Sequence, residues 1–315
     1  MKIAVLFPGQ GSQYLGMGQE FITTNTACAA LMAMAEATCE INLGALCSNG
    51  PMEELTKATN LQPAITITNL ICWQAIKDAL GSDVPVHCFA GHSLGEYSAL
   101  FAGGVLSAED TMRLVAKRGA LMAREGNIHP GGMRAVLGLT IDAIEELISN
   151  YKGEGAVTAA NHNTPTQIVI SGSMAAMDEI GQHAEAQGAK VIALNVSVAN
   201  HSPLVAGAVA DFAEFMADIS FKPPQVPVYF NVSAAQETDT HTMKKMMASQ
   251  IASKVRWLEI IEAMLAEGVD TFIEVGPKTV LSGMMRKIVP KGSKVTTLQF
   301  DTPALLGECL EKLRS

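Results

Sequence analysis

Phe89-Ala90-Gly91-His92-Ser93-Leu94-Gly95-Glu96 is the stretch from which the rest of this chain is best read. It contains Gly-x-Ser-x-Gly at 91–95, and its flanks matter as much as the motif. Val86 to Ala90 is a short apolar run bounded by Pro85 and Gly91, the pattern of a buried strand. Glu96 to Ala102 is helix-forming and stops at Gly103-Gly104. Strand, sharp turn and helix in that order form the context in which this motif exposes a nucleophilic serine. Gly91 and Gly95 suit a strained turn that other backbone approaches closely. Ser93 then lies at a helix N-terminus, where unpaired N–H groups and the helix dipole favour developing negative charge. An ordinary tight turn is the competing reading, and the flanks weigh against it.

Outward from the elbow, short apolar strands alternate with longer helices. The strands are Ile3–Phe7, Val86–Ala90, Val226–Asn231, Thr271–Val275 and Lys294–Phe300, which predicts a parallel α/β sheet. Between them the pattern changes. Strand 133–139, helix 141–151, strands 156–160 and 167–171, helix 174–187 and strand 190–196 give β-α-β-β-α-β, the ferredoxin-like order. Thr140 is the expected N-cap of its first helix, and Gly188 follows its second as a C-cap signal. The expectation is an α/β core at 1–128 and 199–315 interrupted by a small subdomain at 129–198. The chain would cross between them at 126–132 and 197–202, with a substrate cleft in between.

Composition excludes several classes of function. At 315 residues with 48% hydrophobic and 17% charged side chains, the chain supports a well-buried core and is not disordered. No run approaches the roughly 18 apolar residues of a membrane span. The apolar start Met1–Phe7 is broken at Pro8-Gly9, too early for a signal peptide, so the reading is a first strand and a cytoplasmic protein. Carboxylates outnumber Lys and Arg 31 to 22, which argues against a nucleic-acid partner. The six cysteines show no C-x-x-C pair and no metal-ligand spacing, so free buried thiols and no metal are expected.

A serine nucleophile needs a base, and His201 stands out among seven histidines. It sits at the return from the small subdomain, just before Ser202-Pro203 opens a helix. No Asp or Glu has the placement of a triad acid, which leaves open both a dyad oriented by a carbonyl or amide and a triad. Arg118 is the second anomaly. In the helix spanning 109–124 it shares a face with Leu114, Val115, Leu121 and Met122. A guanidinium in an apolar stripe is costly unless it meets a carboxylate. That carboxylate is either an internal ion-pair partner or the substrate's own, held bidentately. The glycine-rich loop Phe7-Pro8-Gly9-Gln10-Gly11-Ser12-Gln13 lacks the Lys-Ser/Thr ending of a phosphate loop. Its amides could instead complete an oxyanion hole with the N–H of Leu94.

Several motifs in order carry a resemblance to a known family. They are 7–13, Gly91-His92-Ser93-Leu94-Gly95-Glu96-Tyr97, Lys117-Arg118-Gly119 and Asn163-Thr164-Pro165-Thr166-Gln167-Ile168-Val169-Ile170-Ser171-Gly172. His201-Ser202-Pro203, Val255-Arg256-Trp257 and Glu274-Val275-Gly276-Pro277 follow. Over essentially its whole length the chain resembles the malonyl-CoA:acyl-carrier-protein transacylases. The resemblance implies an α/β-hydrolase-like core with a ferredoxin-like insert. It implies acylation of Ser93, His201 as base, Arg118 on the malonyl carboxylate, and Gln10 and Leu94 as oxyanion donors. Gln250 would orient His201 through its carbonyl, and Asn161, Met122 and Met133 would line the acyl pocket. Malonyl-CoA and acyl carrier protein would be the partners, with coenzyme A thioester as substrate, no permanent cofactor, and a monomer. Fatty acid synthesis is the expected pathway; a trans-acting polyketide acyltransferase is the alternative, and a serine thioesterase or hydrolase is less favoured. Asn200 replaces the Phe or Ser often found before this histidine in polyketide acyltransferases, so acceptance of an α-branched unit stays open. Arg134 stands where the family usually has a small residue.

Overall fold

A computed structural model describes residues 1–81, 86–196 and 198–314. Pro85 and Ser197, used above as boundaries, lie outside the described residues. Among the described residues nine strands occur in chain order: β1 Ile3–Phe7, β2 Val86–Gly91, β3 Gly132–Leu137, β4 Val157–Thr164, β5 Gln167–Gly172, β6 Lys190–Ala193, β7 Val228–Tyr229, β8 Thr271–Val275 and β9 Thr296–Phe300. They form two sheets. One has the order β7-β2-β1-β8-β9 and is parallel throughout; the other has the order β4-β5-β3-β6 and is antiparallel throughout.

β1 shows why the first sheet is central. All five of its residues are buried, as expected of a strand covered on both faces. Successive side chains point to opposite faces. Ile3, Val5 and Phe7 join one core with Phe89 and the helix Ala58–Leu80, while Ala4 and Leu6 join a second with Trp257 and Phe272. Phe7 packs edge-on to Trp73 and stacked on Phe89, with ring centroids 6.3 Å apart in each case. The register pairs Phe7 with Gly91, so the loop after β1 lies beside the turn after β2.

The second sheet carries the helices Ile141–Asn150 and Met174–Ala186 on one face, where Ile144 of the first helix packs with Val136, Ile168 and Ile170 of the sheet. Met133, Ala135, Ala160 and Val169 line its other face. Thr140 caps the first of these helices as expected, its hydroxyl accepting the N–H of Ala143. Several strand ends differ from the sequence reading, and β4, β7 and β6 have the clearest causes. β4 continues to Thr164, so His162 lies in a strand instead of a loop. Two partners hold it there: β5 pairs with β4 as far as Thr164, and on the other side Val255 donates its N–H to the Ala160 carbonyl (2.8 Å) and accepts the N–H of His162 (2.9 Å). β7 has two residues instead of six because it pairs only with Phe89 and Ala90 before the chain turns at Phe230. β6 stops at Ala193, where its pairing with β3 ends at Arg134. Arg134 is tied to Asp178 by an ion pair.

Among the described residues no single helix is long and apolar enough to cross a membrane. No group of three His, Cys, Asp or Glu that could hold a metal ion occurs among them either.

Candidate active site

The turn at 91–95 joins β2 to the helix Gly95–Ala102. Its glycines are required by contact. A Cβ on Gly91 would fall 1.9 Å from the Gly95 carbonyl carbon, and one on Gly95 would fall 2.1 Å from the Phe7 oxygen. Ser93 takes φ 50°, a left-handed conformation that costs a non-glycine residue energy and lifts its side chain off the strand. The turn is therefore a strained elbow of the kind the motif predicts.

His201 also has a left-handed backbone, φ 59°, fixed by its N–H donating to the Ile251 carbonyl (3.0 Å). Its Nε2 lies 2.7 Å from Ser93 Oγ, and its Nδ1 lies 2.9 Å from the Gln250 carbonyl. A carbonyl can only accept, so Nδ1 carries the proton and Nε2 presents its lone pair to the serine. Burial, and after it the charge of Arg118, push the imidazole down to about 3. The ring is thus neutral near pH 7, the form in which it can take a proton.

Arg118 is 2% exposed and forms no ion pair among the described residues. Instead its Nη1 donates to Gln62 Oε1 (2.9 Å), and its Nη2 donates to Gln250 Oε1 (3.1 Å) and Ser93 Oγ (3.3 Å). The guanidinium also lies over the Tyr97 ring, 5.7 Å from its centroid. Gly119 explains this depth, since a Cβ there would meet the Ala58 carbonyl oxygen at 2.6 Å. The helix Ala108–Ile128 can thereby press Arg118 against Gln62. Of the two readings open in the sequence, an internal carboxylate partner is the one the structure does not provide.

Gln250 sits in a single 3-10 turn, Gln250–Ala252, and touches all three of these groups. Besides holding His201 and Arg118, its Nε2 donates to the Ser93 carbonyl (2.8 Å) and to Glu96 Oε2 (2.6 Å). Burial pushes the Glu96 carboxyl up to about 7, against the opposing hydrogen bonds from Gln250 and Asn231.

A cavity of about 200 Å³ opens over Ser93 between the two sheets. Gln10, Asn161, Met133, Asn200, His92 and His201 all line it. The amides of Gln10 and Leu94 donate to no protein acceptor among the described residues. Gly9 brings this loop close, as a Cβ on it would lie 2.5 Å from the His92 carbonyl. Met122 requires a correction: it is 1% exposed, stands outside the cavity lining, and accepts from Gln62 Nε2 at 3.4 Å. Its link to Arg118 runs through Gln62, whose oxygen holds the guanidinium. His92 reaches across to Asn163, with Nε2 2.7 Å from Oδ1, and packs edge-on to Trp257.

Sequence reasoning missed Gln62, Glu96 and Asn231. Each is a polar residue inside an apolar segment: Gln62 near the start of the buried helix, Glu96 directly after the elbow, and Asn231 at the end of the run 226–230. That interruption was the available signal.

A serine–histidine pair in the wall of a cleft between a parallel and an antiparallel sheet, with a buried cation behind the serine, defines a serine acyltransferase site. Residues 5–301 match the acyl transferase domain family. A malonyl CoA-acyl carrier protein transacylase of Bacillus subtilis is 38% identical over 99% of this chain and 98% of its own length. The solved malonyl-CoA:acyl carrier protein transacylase of Xanthomonas oryzae pv. oryzae superposes with a TM-score of 0.93 at 34% identity, covering 99% of both chains. A malonyl transacylase solved in complex with its type II polyketide synthase acyl carrier protein gives a TM-score of 0.93 at 33% identity, over 99% of this chain and 100% of that one. This chain belongs to the malonyl-CoA:acyl-carrier-protein transacylase family.

Proposed function

We propose that this protein transfers a malonyl group from coenzyme A to the phosphopantetheine thiol of an acyl carrier protein, in fatty acid biosynthesis. The observation that carries the proposal is a buried arginine with no ion pair among the described residues, 3.3 Å from a serine that is itself 2.7 Å from a neutral histidine. An acyl group ending in a free carboxylate completes that arrangement. In the first half-reaction Ser93 Oγ attacks the thioester carbonyl as His201 Nε2 takes its proton. The unassigned amides of Gln10 and Leu94 stabilise the oxyanion. Collapse expels the coenzyme A thiolate, which receives the proton from His201, and leaves malonyl-Ser93. In the second, His201 deprotonates the carrier thiol, that thiolate attacks the ester, and Ser93 recovers its proton. Gln250 fixes the imidazole tautomer, so the pair works without a triad acid. Asn161 and Met133 shape the acyl pocket.

The elbow at the carboxyl end of a parallel strand supports an α/β-hydrolase-like core at 1–128 and 199–315. The strand order supports a ferredoxin-like subdomain at 129–198. The protein acts as a cytoplasmic monomer with no permanent cofactor. A second reading, polyketide synthesis in trans, draws on the relative solved with a polyketide carrier and on Asn200 in the cavity wall.

Intact-protein mass spectrometry after incubation with malonyl-CoA should show one malonyl adduct on Ser93, discharged by holo acyl carrier protein and absent in Ser93→Ala. Coenzyme A release that proceeds equally fast without a carrier, with no adduct, would instead establish a hydrolase.

A further inference from the structure

The transfer chemistry gives Asn231 no task, yet it is fully buried and every polar group it has is engaged. Its Oδ1 accepts the N–H of Ser93 (2.7 Å), and its Nδ2 donates to the carbonyl of Gly91 (2.8 Å). Those two backbone groups flank His92 at the apex of the elbow, so one planar amide closes the turn from both sides. The Asn231 N–H donates to Glu96 Oε1 (3.0 Å), and its carbonyl accepts from the Arg256 N–H (3.1 Å). Glu96 then uses its other oxygen to hold Gln250, the residue that touches Ser93, Arg118 and His201.

A left-handed serine persists only where its surroundings over-determine it. Here the over-determination is specific, because the turn needs an acceptor for one amide and a donor for one carbonyl on the same small group. Asparagine supplies both and aspartate only the first. Glu96 does not touch His201, so it is no triad acid. Its two oxygens are instead the link between the elbow's clamp and the residue that positions base and cation.

We infer that Asn231 and Glu96 are positioning residues for acyl transfer: Asn231 clamps the nucleophile's turn, and Glu96 locks that clamp to Gln250 so that nucleophile, base and cation hold one register. The inference rests on the reading of Ser93 as the acylated residue. Displacing a reacting atom by about 1 Å can lose about 100-fold in rate. Asn231→Ala should therefore lower kcat for malonyl transfer about 100-fold while KM for malonyl-CoA changes less than about threefold. Inactivation by phenylmethylsulfonyl fluoride, which reads Ser93 without involving the malonyl carboxylate, should slow by a similar factor. Glu96→Gln preserves volume but leaves one acceptor oxygen for two donors, and both rates should fall about tenfold or more.

Wild-type kcat and wild-type inactivation in the folded variants would overturn the inference. So would a fall in kcat with inactivation unchanged. If Asn231→Ala does not fold, Glu96→Gln decides by the same two rates. Wild-type protein that reacts with the sulfonyl fluoride at Ser93 but takes up no malonyl group would defeat the transfer reading alone. Slower inactivation of the variants would then still support the clamp.

Discussion

Arg118 is held by neutral amide oxygens from Gln62 and Gln250, and burial works against its charge. An enclosed guanidinium is stabilised most by an anion placed bidentately, and losing one partner of such a pair typically costs about 3–5 kcal/mol. Arg118→Ala should accordingly lower kcat/KM for malonyl-CoA about 100-fold or more while acetyl-CoA, which lacks the carboxylate, is affected far less. Comparing the two substrates in one carrier-transfer assay measures this directly. His201 gives a second expectation. Its ring, pushed down to about 3, should show no NMR titration near 6.5 in the free protein. The unfolded chain protonates this histidine below about 6.5 and the folded chain does not until about 3. Its contribution to stability is therefore complete above 6.5 and is lost as pH falls toward 3. Ser93, His201 and Arg118 were legible in the sequence because each breaks a local pattern: a serine between glycines, a histidine at a domain return, a cation on an apolar face. Asn231 and Gln62 were not, because an uncharged amide in an apolar segment marks itself as unusual but gives no sign of which distant groups it will meet.

Elements were legible where one periodicity governs them, as in β1 and β8, whose ends match the reading from the sequence. They were misread where a partner distant in sequence sets the length: Val255 helps to extend β4, and the edge position of β7 shortens it. The Glu274-Val275-Gly276-Pro277 motif is a related case, because its carboxylate acts on a helix begun several residues later. Glu274 accepts the N–H groups of Leu281 (2.8 Å) and Ser282 (2.7 Å) at the start of the helix Val280–Ile288. Gly276, at φ 136°, leaves room for Asn69, whose Oδ1 would lie 2.1 Å from a Cβ. Glu274→Ala should cost about 1–2 kcal/mol by urea unfolding, through the orphaned amides of that helix. Burial pushes the Glu274 carboxyl up to about 7 from an ordinary 4.5. Its favourable share of stability is thus present below 4.5 and lost as pH rises through about 7, the opposite trend to His201. In Glu274→Gln the decline between pH 4.5 and about 7 should shrink, which melting temperatures across that range would reveal.

At the scale of the whole molecule, the cleft exists because 253–257 stitches two separately cored sheets together. Val255 bonds β4 from both of its backbone groups, Arg256 donates to Asn231, and Trp257 is buried in the second core beneath the parallel sheet. Val255→Pro removes one donor from this seam; we expect about 1 kcal/mol lost in stability and a several-fold rise in KM for malonyl-CoA, read by denaturation and steady-state kinetics. The two-sheet plan could be inferred from the strand pattern, whereas this seam could not, since its pairing joins residues almost a hundred positions apart. The left-handed backbone at both 93 and 201 has a further consequence for anyone engineering the protein. Glycine relaxes the backbone at 93 at the loss of only a hydroxyl, so Ser93→Gly should hold or slightly raise the melting temperature while ending turnover, whereas His201→Gly empties a buried, hydrogen-bonded imidazole site and should lower it. Selection for heat tolerance alone would therefore defend the imidazole at 201 but not the hydroxyl at 93.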